Sequence, residues 1–308
     1  MYSYLVRRII TSILVLFGVS LLVFSIIHLV PGDPVTAMLG RQNMNAETVA
    51  QLRQQLGFDD PIPIQYWHYL TKALQGNLGS SIRNYIPVSD AIAEQLPSTI
   101  FLAFSALIVA LVVGFFLGLV AALNQGSWLD TLAMGVSVSG LSIPTFWLGL
   151  LLILFFSVRL GWFPSISDSN NASALLLPAF TLGLPEAAVV SRMVRASMLD
   201  VLSKEYITAA RAKGVSQAAV VFKHALRNAL IPVVTFVGLQ MAYLLAGSTV
   251  VESIFARQGI GRLAVRAISS RDYPMVQGVV LVISVLYVFI NTITDITYVF
   301  LNPKIRLK

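Results

Sequence analysis

Residue types able to do chemistry are few in this 308-residue chain, and they stand far apart. It contains no cysteine, which removes disulfides, thiol catalysis and thiolate metal ligands. His28, His68 and His224 fall in different segments, so no histidine metal cluster is expected. There is no G-x-x-x-x-G-K-S/T phosphate loop, no H-E-x-x-H and no G-x-S-x-G. ATP binding of the P-loop kind and the commonest hydrolytic centres are therefore not expected. Three features remain: Glu186 in LGLPEAAVV, the pair Asn291 and Asp295, and the basic, alanine-rich stretch EYITAARAKGVSQAAVVFKHALRNALIP at 205–232.

What these residues can do depends on the elements that carry them. The chain is 56% hydrophobic and 11% charged, where a soluble domain averages about 25% charged residues. Its apolar residues fall in long runs, and a bilayer core needs roughly 20 such residues in a helix. Six segments qualify: about 9–30, 99–123, 131–157, 174–194, 229–250 and 276–301. The first follows Arg7 and Arg8 without a small-residue cleavage site and is read as a retained span. The net charge of +7 sits largely on residues flanking the spans, so it orients the chain and does not call for nucleic acid. Arg7, Arg8, Lys304, Arg306, Lys308 and the basic residues between spans four and five share one side by parity, the cytoplasmic side under the positive-inside rule. Arg257, Arg262, Arg266 and Arg271 run against that rule.

The external segment after the first span opens with PGDP. Ala46, Val49, Leu52 and Leu56 repeat at helical spacing with Gly57 as C-cap, and Trp67, Leu70 and Leu74 mark a second short helix. Ser89 is the expected cap of a third, ending before Pro97. Gly114 and Gly118 in GFFLG predict close helix packing, and Pro144 predicts a kink in the third span.

Glu186 lies near the middle of the fourth span, beside Pro185. A charge there costs about 2.5–3.5 kcal/mol on insertion scales, so it either lines a passage or makes a buried structural hydrogen bond. Asn291 and Asp295, four apart, share a helix face suited to hydrogen bonding between helices. Glu186 and Asp295 are read as the only acids deep in spans, few for a stand-alone proton-coupled transporter, which is the alternative of another class.

In the 205–232 stretch, Ser203 is expected to cap a short helix with Glu205 in its first turn. Leu202, Tyr206, Ala209, Ala210 and Lys213 fall along one side, Gly214 suits a left-handed C-cap, and Ser216 caps the next helix. Such a helix either docks a partner closely through its small side chains or lies on anionic lipid. The stretch resembles the coupling loop of ABC-transporter permeases, in the version of the dipeptide/oligopeptide/nickel import family. Ala209, Ala210 and Gly214 keep that spacing, Thr208 stands where the glutamate would be, and YITAARAKG with HALRNALIPVV matches the subfamily form. GNLGSSI at 76–82, RASMLDVL at 195–202, ESIF at 252–255, GIGRL at 259–263, RDYP at 271–274 and NPKIR at 302–306 extend the likeness over nearly the whole chain.

The resemblance implies an all-α membrane protein with the type I importer permease fold, six spans and an external helical segment. Its parts would be the first span (1–30), the external segment (31–98), the transmembrane core (99–301) with coupling loop 195–228, and a cytoplasmic tail (302–308). It implies a subunit of an ATP-driven importer in the bacterial inner membrane, with both termini cytoplasmic. The chain would form half the passage for di- or oligopeptides, or for glutathione or a nickel chelate. Implied partners are a homologous second permease, two P-loop ATPase subunits that bind ATP and magnesium, an external binding protein and membrane lipid. This chain would hold no cofactor. By motif, Tyr206, Ala209, Ala210, Arg211 and Gly214 carry the coupling role.

Overall fold

A computed structural model describes residues 2–29, 50, 53–54, 58–167 and 172–301. Among them, the regular elements are helices, apart from one isolated antiparallel bridge between Ser80 and Pro87. In chain order the helices are α1 (Tyr2–Leu29), α2 (Ile62–Leu74), α3 (Val88–Leu123), α4 (Trp128–Ser142) and α5 (Thr145–Leu152), the last continuing as a π-helical segment, Ile153–Arg159. Then follow α6 (Leu176–Leu202), α7 (Glu205–Ala212), α8 (Leu226–Ile254), α9 (Ile260–Ser269) and α10 (Tyr273–Leu301). The expected PGDP turn and the NPKIR tail lie outside the described residues, and of the expected 46–56 helix only residues 50, 53 and 54, all helical, are described.

Val6–Ser25, Val88–Leu123, Ala172–Leu202 and Tyr273–Thr294 are long and apolar enough to cross a membrane, and α4 with α5 qualifies together as a bent fifth. The remaining expected span falls on α8, whose 29 residues extend about 44 Å. Two prolines act differently from expectation. The helix expected to stop before Pro97 instead runs unbroken through it for 36 residues, with Ser89 inside its first turn. Proline forfeits one hydrogen bond there, but Ala91 and Ile92 on one side and Leu102 and Ala103 on the other are fixed in apolar cores. At Pro144 the third span does more than kink: its two arms turn by 107°.

The described residues fall into two compact units. One takes in the chain up to Pro97 and Gly259–Thr292; the other holds Ser98–Gln258 and Ile293–Leu301. In the first, Val88, Ile92, Ile260, Met275, Val276 and Val279 form the core. The GNLGSSI and RDYP stretches meet there. Asp272 accepts from Ser81 Oγ at 2.5 Å and from the Ile82 and Met275 amides, while Arg83 donates twice to the Ser270 carbonyl. The α2 helix exposes Trp67 and Leu74 and joins α1 through Ser20 and the Tyr66 hydroxyl (2.7 Å) and through His28 and Gln65 (3.0 Å).

The second unit is built on α6. Val190, Val194 and Met198 pack in one apolar cluster, and Leu177 and Leu182 in another. The glycines of GFFLG give the expected close approach. A Cβ on Gly114 would stand 2.6 Å from the Ala187 carbonyl oxygen, and one on Gly118 would stand 2.8 Å from Val194 Cβ. Gly183 approaches α3 in the same manner at Ala106.

Candidate functional site

The 203–228 stretch folds as two helical pieces about a sharp turn. The expected cap, Ser203, does not cap α7: it is the C-cap of α6, its hydroxyl donates to the Asp200 carbonyl, and Lys204 takes the N-cap position of α7 without a side-chain bond. Helix α7 is only eight residues long, too short to persist alone in water. Ile207 holds it in place. That side chain is fully buried with Met198, Val201, Val220, Val221 and Ala225.

The turn follows the glycine signal. Gly214 has φ +77°, the Val215 amide donates to the Ala210 carbonyl at 3.2 Å, and Ser216 Oγ accepts from the Ala219 amide as an N-cap. The chain then enters α8 through a π-helical segment, Val220–Ala225. Asn228, in the first turn of α8, donates from Nδ2 to the Tyr206 hydroxyl at 3.0 Å. Lys204 and Asp200 pair at 2.9 Å on the exposed surface.

Thus Tyr206, Ala209, Ala210, Arg211 and Gly214 are gathered on one short element, but they do not share one role. Ala210, three residues from Ile207, packs partly against the same apolar cluster. Ala209 is exposed, together with Glu205, Thr208 and Ala212, which recur at helical spacing. Arg211 is exposed, as is half of Tyr206. The helix therefore presents Thr208, Ala209 and Ala212 outward beside Glu205, and turns Ile207, with part of Ala210, inward.

Glu186 is far from this group, sixteen residues up α6 from Leu202, or about 24 Å along the helix. It is 8% exposed and accepts from Gln240 Nε2 of α8; Gln240 is 7% exposed. Asn291 is partly buried on α10, and the side chain of Asp295 lies outside the described residues.

Several polar groups went unrecognised in the sequence. Glu252, near the end of α8 and past the expected fifth span, is fully buried and accepts from Thr99 Oγ1 at 2.6 Å. Arg257 is 4% exposed and donates to Ser167 Oγ at 2.8 Å. Burial pushes its guanidinium below its usual value, and the nearby Glu252 charge opposes the shift. Asp130 in α4 and Arg195 in α6 form a two-bond ion pair at 2.7 Å. Gln240 had a visible signal, an amide inside an otherwise apolar run of the fifth span. The partners of Asp130 and Glu252 had none, since they are distant in sequence.

Comparison with known proteins gives the family and the fold. Residues 114–307 match the family model described as binding-protein-dependent transport system inner membrane component, and residues 1–103 match that for the N-terminal part of such membrane components. The glutathione transport system permease protein GsiC of Escherichia coli O6:H1 is 45% identical over 308 residues, covering 100% of both chains. The GsiC proteins of Escherichia coli K12 and Shigella dysenteriae serotype 1 are each 44% identical over the same full length. Among solved structures, the inward-facing methionine ABC transporter MetNI aligns with TM-score 0.56 at 20% identity, over 68% of this chain and 96% of that one. An amino acid ABC transporter solved with histidines aligns with TM-score 0.55 at 17% identity, over 68% and 93%. At those identities the likeness to the solved structures is one of fold.

Proposed function

The chain belongs to the binding-protein-dependent transport system inner membrane components, the permeases of ABC importers, and on that premise we propose that it passes glutathione or a related small peptide inward as half of a permease pair driven through α7. It is a multi-pass protein of the inner membrane. Hydrolysis of ATP falls to two P-loop partner subunits, since this chain has no phosphate loop. An external binding protein delivers the substrate, and a second, homologous permease completes the passage.

The single observation that carries the coupling half of this reading is the way α7 is mounted. Ile207 ties the helix to the base of α6 and α8, and Thr208, Ala209 and Ala212 offer small side chains outward, with Glu205 at the N-terminal end of the same face. A partner groove can close on such a face without steric conflict, and a push on it passes into the packed cluster behind Ile207. A resting place on lipid fits less well, because the outward face carries no large apolar side chain between Glu205 and Ala212 apart from half-exposed Tyr206.

The substrate half rests on the full-length likeness to the glutathione permeases. It is tested by reconstituting the importer with its binding protein and measuring uptake of labelled glutathione, a dipeptide and a nickel–histidine chelate. Glutathione uptake should exceed the others, and uptake of the chelate alone would refute the assignment. Orientation is checked in the same preparation. Ser216→Cys should react with impermeant reagent only from the cytoplasmic side and Ser80→Cys only from outside.

A further inference from the structure

The pairing of α4 with α6 is fastened by polar contacts at two levels. Asp130, 6% exposed in the first turn of α4, receives a fork from Arg195: Nε donates to Oδ1 and Nη2 to Oδ2, both at 2.7 Å. Its Oδ2 also accepts from the Gly126 amide at 3.1 Å, and Ser127 Oγ accepts from the Asp130 amide. One carboxylate therefore gathers the turn that begins α4 and binds it to α6. Two turns further along α4, the buried hydroxyls of Ser137 and Ser191 meet at 2.6 Å. Residues 130 and 137 meet 195 and 191, so the two helices run antiparallel.

Apolar packing does not close α4 fully against its neighbours. An opening of about 660 Å³ lies among α3, α4 and α6, lined in part by Val113 and Leu117 of α3, Leu132 and Val136 of α4, and Leu184 and Ala188 of α6. A helix beside such a space loses contact atoms on that side, so directed polar bonds carry more of its position. A guanidinium fork suits that task, because its two parallel bonds fix direction as well as distance. Arg195 is also close in sequence to Met198, which shares the cluster that holds Ile207.

We infer that Asp130 and Arg195 are a positioning pair that makes α4 travel with α6 and α7 as one body when α7 is driven. This rests on the docking of α7 proposed above. The 107° break between α4 and α5 is then where that body turns.

The absence of native cysteine permits a direct test in the full importer with cysteine-free partners. Ser137→Cys with Ser191→Cys should cross-link on oxidation, because the native hydroxyls are in contact. Helices that already move together should lose nothing when joined, so uptake per ATP should not change. Arg195→Lys keeps the charge and loses the fork; uptake per ATP should fall about tenfold while the ATPase subunits still copurify. The oxidised cross-link, added to Arg195→Lys, should restore it. Cross-linking that stops uptake overturns the inference. So does a cysteine pair that never cross-links in the assembled importer, an Arg195→Lys importer that transports per ATP like the parent, or a defect the cross-link leaves in place. Failure of the docking reading is a separate result, namely ATPase subunits that remain bound to Ala209→Arg.

Discussion

Replacing Ile207 by alanine should free α7 while leaving the spans intact. The side chain is fully buried, and truncating such an isoleucine costs about 2–5 kcal/mol. Besides Ile207, only the partial packing of Ala210 and a few weak bonds hold the helix. Its N-cap is unbonded by a side chain, and the exposed Tyr206–Asn228 hydrogen bond contributes about 0.5–1.5 kcal/mol net. Eight residues cannot sustain a helix alone. The loss should therefore appear as local opening, and 2 kcal/mol corresponds to about a 30-fold rise in the opening equilibrium. Hydrogen exchange of the 207–215 amides reads it directly, with Ile207→Val as a milder control costing about 0.5–1.5 kcal/mol. Unchanged exchange in Ile207→Ala would refute the anchoring role. Equal acceleration of the 190–201 amides would show instead that Ile207 supports the whole core.

Gly118→Val should lower the amount of folded protein, because its Cβ would meet Val194 Cβ at 2.8 Å, whereas Gly135→Ala meets nothing within 4 Å and should be silent; detergent melting curves compare them. Glu186→Leu should reduce assembled importer, since an abandoned buried Gln240 costs about 1–3 kcal/mol, and adding Gln240→Leu should recover it; assembly unaffected by Glu186→Leu would refute a structural bond. Gly214→Val places a branched side chain at φ +77°, a strain of about 1–2 kcal/mol. It should keep part of the ATPase association but lower uptake per ATP, measured in reconstituted vesicles.

How far the sequence reached can be read from single residues. Gly114, Gly118, Gly214 and Ser216 behave as their types dictate, because close approach, positive φ and N-capping are local demands. Pro97 does not, since packing on both sides outweighs one lost hydrogen bond. Periodicity grouped Ala209 with Ala210 on one side of α7, yet neighbouring alanines look alike in sequence. Their difference is decided by Ile207, which draws Ala210 toward its own core and leaves Ala209 outside. Glu186 was legible as an oddity in an apolar run, while its partner Gln240 lies fifty-four residues away. Asp130 and Arg195 stand sixty-five residues apart, a pairing that only the tertiary fold creates.

The most direct measurement is retention of the two ATPase subunits by importer carrying Ala209→Arg. Arginine is a good helix former, and residue 209 is exposed in the isolated chain, so α7 and the spans should fold unchanged. In a closed groove the added side chain should cost about 1–3 kcal/mol, a fall in ATPase affinity of about 5- to 150-fold. Binding and uptake equal to the parent would contradict the docking of α7 and return the segment to the lipid surface.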